Sequence, residues 1–378
     1  MKKIIMSSGM LLKALTEIKP VINKNTVLPI LEDVLCEVTR KGANNSLIRI
    51  TGTDLENSIT IECECESSES FKFLLPHKLV MKFVSIIDLQ PIVITYDHKN
   101  FSIEISCETV QTKVTSENHE DFPRIADINS KKNSTVILTD EIVSSIKKSI
   151  NFCSGDELRP AMMGICFNFS EKELSIATTD AHKLYRFKTP ISNTKIGKYI
   201  APKLMGTQVV KSNQPNTIEF GDHDGSGTAR LTIKNDTGTF VKIVRTRLID
   251  ANFPMIEDVI PTDNPNRITF DRNEGIKAFK TAFEFGNKTT HAATFELNGK
   301  VQLVARDLDF SNEVAIKIPS GKYKGAPMEI AFNSEFVGAV LKQIENDDIT
   351  LSISTPTRAG LFENGNEIFL LMPIMVNM

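Results

Sequence analysis

Tryptophan is absent from the 378 residues, arginine is used sparingly, and no apolar run approaches the roughly 18 residues that a membrane span requires. The missing span predicts a chain that neither crosses nor anchors to a bilayer. The opening Met1-Lys2-Lys3-Ile4-Ile5-Met6-Ser7 has two lysines but no long apolar stretch after them, so no secretory signal is read and a cytoplasmic chain is expected. Six cysteines (Cys36, Cys63, Cys65, Cys107, Cys153, Cys166) include no CxxC pair and read as small buried hydrophobes, not as disulfides, metal ligands or redox centres. A Walker phosphate loop, an HExxH helix and a nucleophile elbow are also missing, and no cofactor is expected. With 41% apolar and 24% charged residues the composition is that of a soluble globular chain. A net charge of −3 argues neither for nor against a nucleic-acid partner, because the field that matters is local.

What the chain does have is a threefold recurrence. Asp54 in TGTDLENSIT, Asp180 in ATTDAHKLYRF and Asp307 in VARDLDFSNEV each stand between two apolar runs, 126 and 127 residues apart. Units of that length exceed any solenoid repeat, so each should be a domain in its own right: residues 1–126, 132–260 and 265–378. Each third opens with apolar residues at helical spacing: Leu11, Leu12, Leu15 and Ile18; Ile142, Val143, Ile146 and Ile150; Ile276, Phe279 and Phe283. A second helix follows in each, over Lys78–Ile87, Lys203–Val210 and Ser334–Ile344, with Pro76 and Pro202 just ahead of the first two. Asp140, Asp271 and Asn333 are expected as N-terminal caps. Alternating β-branched runs such as 48–51, 92–95, 231–234 and 349–353 predict strands. Turns at 224–227, 234–236, 298–300 and 363–365 separate the runs. Each third is thus an α+β domain of two helices and about eight strands, joined by short linkers at 126–133 and 261–266 that predict a fixed relation between domains.

Charge is unevenly distributed. The six helix segments hold 12 lysines and arginines against 7 carboxylates, while the rest of the chain holds 32 against 40. Lys13, Lys19, Lys78, Lys82, Lys147, Lys148, Lys203, Lys211, Arg272, Lys277, Lys280 and Lys342 make one positive surface if the helices face the same way, although solvated helix faces look similar. Size then discriminates. A domain of this length has a diameter of roughly 36 Å, so three in a ring leave a hole of only about 6 Å, narrower than the major groove alone, whereas six leave about 36 Å. Encircling a duplex therefore takes two copies, a head-to-tail dimer of six domains with helices lining the hole.

At this point the motifs resemble the bacterial sliding clamp, the beta subunit of DNA polymerase III, along the whole chain. The family's LPIL and TGTDLE appear at 28–31 and 51–56, its FP at Phe122-Pro123, and its ATDGHRL at Thr179-Asp180-Ala181-His182-Lys183-Leu184. Its FPDYxxVLP is matched by 253–261 and its closing VMPM by Leu371-Met372-Pro373-Ile374. Ala181 replaces the family glycine and Lys183 its arginine; a side chain at 181 is expected to narrow the site, and lysine cannot make arginine's bidentate contacts.

The resemblance implies a homodimeric, non-catalytic processivity factor that encircles duplex DNA without reading sequence. Its expected partners are a replicative polymerase subunit, a clamp loader and other clamp-binding-motif proteins. It implies a partner-peptide groove of Arg159, Met162, Thr179, Ala181, His182, Lys183, Leu184, Pro254, Val259, Leu370 and Met372, with Pro373 and Met375 nearby. Without the resemblance, Met162, Val259 and Leu370 read first as plain core residues. Two other readings stand beside it: a repeat scaffold that binds proteins but not DNA, and a metal-dependent hydrolase built on Asp180 and His182, which share a strand face. No third ligand recurs near that pair, and neither Asp54 nor Asp307 has a histidine two residues on. The repeated aspartate is therefore expected to satisfy turn amides.

Overall fold

The computed structural model describes residues 1–22, 27–42, 45–125, 127–128, 134–191, 195–211, 217–223, 226–235, 237–307 and 310–375. The first third runs β1 (Lys2–Ser7), α1 (Ser8–Ile18), β2 (Asp33–Arg40), β3 (Ser46–Thr53), β4 (Asn57–Cys65), β5 (Phe71–Pro76), α2 (His77–Ile86), β6 (Pro91–Asp97), β7 (Ser102–Ser106) and β8 (Gln111–Thr115). The middle third repeats that order as β9 (Ser134–Ile137), α3 (Asp140–Ser149), β10 (Gly164–Phe169), β11 (Glu173–Thr179), β12 (Lys183–Pro190), β13 (Gly197–Pro202), α4 (Lys203–Val210), β14 (Thr217–His223), β15 (Ser226–Lys234) and β16 (Phe240–Arg247). The last third is β17 (Asn266–Asp271), α5 (Arg272–Phe285), β18 (Ala292–Leu297), β19 (Val301–Asp307), β20 (Asn312–Lys317), β21 (Lys322–Lys324), β22 (Met328–Asn333), α6 (Ser334–Leu341), β23 (Asp348–Ile353), β24 (Gly360–Asn364) and β25 (Glu367–Leu371). Two helices and eight or nine strands per third match the expected α+β pattern.

The helices form where apolar residues recur every three or four positions and bury one face. Leu11, Ala14, Leu15 and Ile18 do so in α1, Val80, Phe83 and Val84 in α2, and Ala278, Phe279 and Ala282 in α5. Two of the expected caps hold: Asp271 accepts from the amide of Glu274 at 2.9 Å, and Asn333 from those of Glu335 and Phe336. The third is displaced by one residue. Asp140 is already helical, and the hydroxyl of Thr139 accepts from the amide of Ile142 at 3.4 Å, which leaves Asp140 in the first turn to complement the helix dipole. Close packing of α4 depends on Gly206, where a Cβ would come within 2.6 Å of Ile165.

Two compact units emerge: Met1–Val143 with Thr207–Leu248, and Ser144–Gly206 with Ile249–Met378. The middle third is thereby shared between them, because its strands join sheets begun or finished by other thirds. In the first unit an eight-stranded antiparallel sheet has the order β5-β2-β3-β4-β16-β15-β14-β9, with β16 meeting β4 in a register that sets Lys242 opposite Ile61. In the second, a nine-stranded sheet has the order β13-β10-β11-β12-β25-β24-β23-β17-β21, with Leu184 opposite Leu370 and Phe187 opposite Glu367. Each unit also holds a four-stranded sheet, β1-β6-β7-β8 in the first and β20-β19-β18-β22 in the second.

The expected strands at 48–51, 92–95, 231–234 and 349–353 all lie within strands. Gly299 and Gly365 take the positive φ that their turns require, at 89° and 59°. Residues 224, 225 and 236 of the other two expected turns, and most of the 126–133 linker, lie outside the described residues. In the 261–266 linker, Asn264 donates to the carbonyls of Ser352 and Ala359, both at 3.1 Å. All six cysteines are free thiols, four of them buried.

Candidate functional site

The turn from β11 to β12 repeats the turn from β3 to β4 bond for bond. The hydroxyl of Thr53 donates to the carbonyl of Asn57 at 2.7 Å and accepts from the amide of Leu55 at 3.0 Å. Thr179 does the same with Lys183 and Ala181, at 2.8 and 3.1 Å. One carboxylate oxygen of Asp54 accepts from the amides of Glu56 and Asn57, and that of Asp180 from the amides of His182 and Lys183 at 2.9 and 2.8 Å. The other oxygen of Asp180 faces the Lys183 ammonium at 3.3 Å. Both oxygens of Asp180 thus serve the turn and Lys183, the role expected at 54 and 180; Asp307 accepts from the Asn287 side-chain amide at 3.4 Å, and residues 308 and 309 of its turn lie outside the described residues. Among the described residues no group of three potential metal ligands gathers.

This geometry explains the family glycine at 181 differently from the expected narrowing. Ala181 has φ +75°, and its counterpart Leu55 has φ +79°, the left-handed region that costs an L-residue about 1–2 kcal/mol. The Ala181 side chain itself is exposed, so its consequence falls on the backbone. Lys183 is held in place as well. Its ammonium lies 4.4 Å from the centroid of Phe336 and 5.8 Å from that of Phe152, so the lysine spans a carboxylate and two rings where an arginine fork is expected.

Of the residues expected to form the groove, Leu184 and Leu370 belong to one apolar cluster of the second unit. Leu184 and Leu370 are cross-strand neighbours inside it, packed with Phe253, Ile256 and Leu361. Ala161, beside Met162, and Ile260, beside Val259, pack on its margin, so the 159–162 and 253–260 segments reach the same place. Leu184 and Leu370, at 2% and 3% exposure, form its floor and not its surface, while Val259 at 55% and Met372 at 42% offer apolar area to solvent. Arg159, His182 and Met375 are exposed; Met162, Pro254 and Pro373 are half-buried; Thr179 is buried in its turn. Ile374 bridges to Ala331, which draws the end of the chain toward β22.

Sequence reasoning missed the neighbouring hollow. A cavity of about 210 Å³, lined by Cys166, Ala177, Lys198, Phe253, Pro254 and Met255 among others, shares Pro254 with the groove. The ammonium of Lys198 closes one side by donating to the carbonyl of Phe253 at 3.2 Å, and burial pushes the Cys166 thiol up to about 12. The FP pair at 253–254 was the only signal pointing here.

The basic helix residues divide into two kinds. Lys13, Lys78, Lys82, Lys147, Lys203, Lys211, Lys277, Lys280 and Lys342 are exposed. Lys13 lies 4.3 Å from the centroid of Phe240, and Arg272 is half-buried. Lys148 corrects the sequence expectation of a DNA-facing side chain: it is largely buried and donates to both oxygens of Glu367 at 2.7 Å, because β25 brings an acid to the last turn of α3.

With this geometry in view, the likeness to known proteins is specific. Residues 2–126 match the family described as DNA polymerase III beta subunit, N-terminal domain, and residues 257–374 match its C-terminal domain. The beta sliding clamp of Chlamydia pneumoniae is 23% identical over 387 residues, covering 99% of both chains. That of Streptococcus pneumoniae serotype 4 is 24% identical over 93% of this chain and 92% of its own. Among solved structures, the DNA polymerase III beta subunit of Thermotoga maritima superposes with a TM-score of 0.83 at 22% identity, and the sliding clamp of Bartonella birtlesii bound to griselimycin with 0.87 at 19%, each covering 100% of both chains. The chain belongs to the DNA polymerase III beta-subunit family, the bacterial sliding clamps.

Proposed function

We propose that two copies of this sliding-clamp chain close head to tail around duplex DNA and tether a replicative polymerase subunit to its template. Each third is then a domain, 1–126, 132–260 and 265–378, and the ring contains six. One recurrence in strand pairing carries the reading. β4 takes as its neighbour β16, the last strand of the middle third, and β12 takes β25, the last strand of the final third. The counterparts that remain, β20 and β8, have a neighbour on one side only among the described residues. Pairing β8 of one copy with β20 of the next continues the series, and two copies close it.

An unpaired edge is a template for another chain. The opposite edges of the same two small sheets are each engaged by a bridge, Ile5 with Glu66 and Ala331 with Ile374. Exposed Val110 immediately ahead of β8 and exposed Phe310 shortly ahead of β20 supply apolar area at the free edges.

The clamp acts without chemistry of its own. Lys13, Lys78, Lys82, Lys147, Lys203, Lys211, Arg272, Lys277, Lys280 and Lys342 face the duplex and attract phosphate without reading bases, since tight base contacts would arrest sliding. Polymerase, clamp loader and other partners dock a short apolar peptide over the Leu184–Leu370 floor, between Val259, Met372 and the 159–162 segment. Unbranched methionines suit a groove that serves several peptides. The chain works in the cytoplasm. Light scattering on a gel-filtration peak at micromolar concentration should return twice the mass of one chain; a monomer there counts against the ring.

A further inference from the structure

Two ion pairs that the groove does not use stand at corresponding places in the two units, with their charges exchanged. In the first unit the ammonium of Lys242 on β16 donates to a carboxylate oxygen of Glu17, in the last turn of α1, and to Oε1 of Gln208 on α4 at 2.7 Å. In the second, the ammonium of Lys148, in the last turn of α3, donates to both oxygens of Glu367 on β25, and the hydroxyl of Tyr185 donates to the same carboxylate at 2.7 Å. The strand positions correspond: Lys242 lies opposite Ile61 and Glu367 opposite Phe187, and Ile61 and Phe187 are 126 residues apart. One junction therefore has a helix acid and a strand lysine, the other a helix lysine and a strand acid. The strand member is well buried in both, with side-chain exposures of 5% and 11%.

Each pair sits where one third of the chain receives the last strand of the next. The two junctions are built on the same repeated framework, so backbone pairing does little to tell β16 from β25, and misassembly among like domains is the characteristic failure of such chains. Charge tells them apart. β16 laid on β12 would bring Lys242 against Lys148, and β25 laid on β4 would bring Glu367 against Glu17. Either error sets two like charges together at a well-buried strand position, with no opposite charge in reach, although the helix acid Glu17 keeps part of its side chain in solvent. The neutral members are indifferent to sign, since the Gln208 amide offers an oxygen or a nitrogen and the Tyr185 hydroxyl donates or accepts.

We propose that the exchanged polarity is an address: it directs each last strand to its own neighbour as the chain folds, both within one chain and among chains folding together. This is separable from any strength the pairs add to the finished fold. The double variant Glu17→Lys/Lys242→Glu keeps an ion pair but gives the first junction the polarity of the second. The fourfold variant, which adds Lys148→Glu/Glu367→Lys, makes the two polarities distinct again.

The experiment refolds each protein from urea at micromolar concentration and measures by gel filtration the fraction recovered at the size of the untreated protein. The address predicts that the double variant recovers at least about threefold less than wild type, the remainder running as larger misjoined species, and that the fourfold variant recovers the wild-type fraction. Recovery of the double variant at the wild-type level would overturn the proposal. A fourfold variant as poor as the double would also overturn it, because the defect would then come from the substitutions themselves. The readout requires neither DNA nor ring closure, so it stands or falls apart from the clamp reading.

Discussion

The amide of Met372 donates to the carbonyl of His182 at 2.8 Å, which carries the pairing of β12 and β25 one residue past Lys183 and Leu371. That bond fixes an exposed thioether beside the repeated turn and over a buried leucine floor. Surface and floor should respond differently to substitution. Met372→Glu and Val259→Glu are expected to weaken a polymerase-tail peptide about tenfold or more, which is about 1.4 kcal/mol, with the urea midpoint nearly unmoved. Leu184→Ala should instead cost about 2–5 kcal/mol of stability by opening a cavity in the floor. Titration of a fluorescent peptide alongside urea melts checks both.

Ala181 at φ +75° is strained where glycine would not be. Relief of about 1–2 kcal/mol, less the roughly 0.5–1 kcal/mol of chain entropy that glycine loses on folding, leaves a net gain of about 0.5–1 kcal/mol for Ala181→Gly. Leu55→Gly should gain similarly in the first unit, with loss of little packing because Leu55 is exposed. Urea denaturation of the single variants and of the pair, expected to be additive, is the check.

Two carboxyls give the first unit opposite responses to acid. Burial, then Glu117 and Glu32, push Asp33 up from 3.8 to about 6, so its contribution to stability is present below about pH 3.8 and is lost as pH rises through about 6. Burial also pushes Asp127 up, but Arg245, then the amide of Ile128 and the charge of Arg230, outweigh it and hold the group at about 2; its contribution is present above about 3.8 and is lost as pH falls toward 2. Asp33→Asn should therefore raise the urea midpoint over wild type near neutral pH, with the gain shrinking toward pH about 4. Asp127→Asn should lower it at neutral pH, with the loss shrinking below pH about 3.

The helix lysines should separate by salt dependence. Each phosphate contact contributes about 0.9 to the slope of log K against log salt, so Lys78→Ala/Lys82→Ala is expected to flatten that slope by about 2 if both reach the backbone. Lys148→Ala should leave the slope unchanged and lower stability, because it strands Glu367 in a largely buried position. Duplex binding across a salt series, with urea melts beside it, distinguishes the two classes.

Local rules were legible in the sequence and pairings between thirds were not. Asp271 and Asn333 announce their caps because one side-chain oxygen beside a free first turn is enough, and Asp54 and Asp180 announce their turns for the same reason. Thr139 took the cap expected of Asp140 because either side chain could serve and only the entering backbone decides. The proposed groove rests on motif resemblance, and Leu184 and Leu370 read the same as floor or as wall, since exposure depends on what β25 brings alongside β12. Lys148 reads as a DNA-facing lysine because its partner Glu367 lies 219 residues away. Nothing local encodes the sharing of the middle third between two sheets, which follows from Ile61 meeting Lys242 and Leu184 meeting Leu370.

The most direct test of encirclement is release through a DNA end. The protein is loaded by a bacterial clamp loader onto a singly nicked circular plasmid, isolated with the DNA by gel filtration, and the plasmid is then cut once with a restriction enzyme. A topological ring predicts co-elution with the circle and loss from the linear product within minutes at moderate salt. Retention on the linear plasmid equal to that on the circle would show binding by surface contact and contradict the ring.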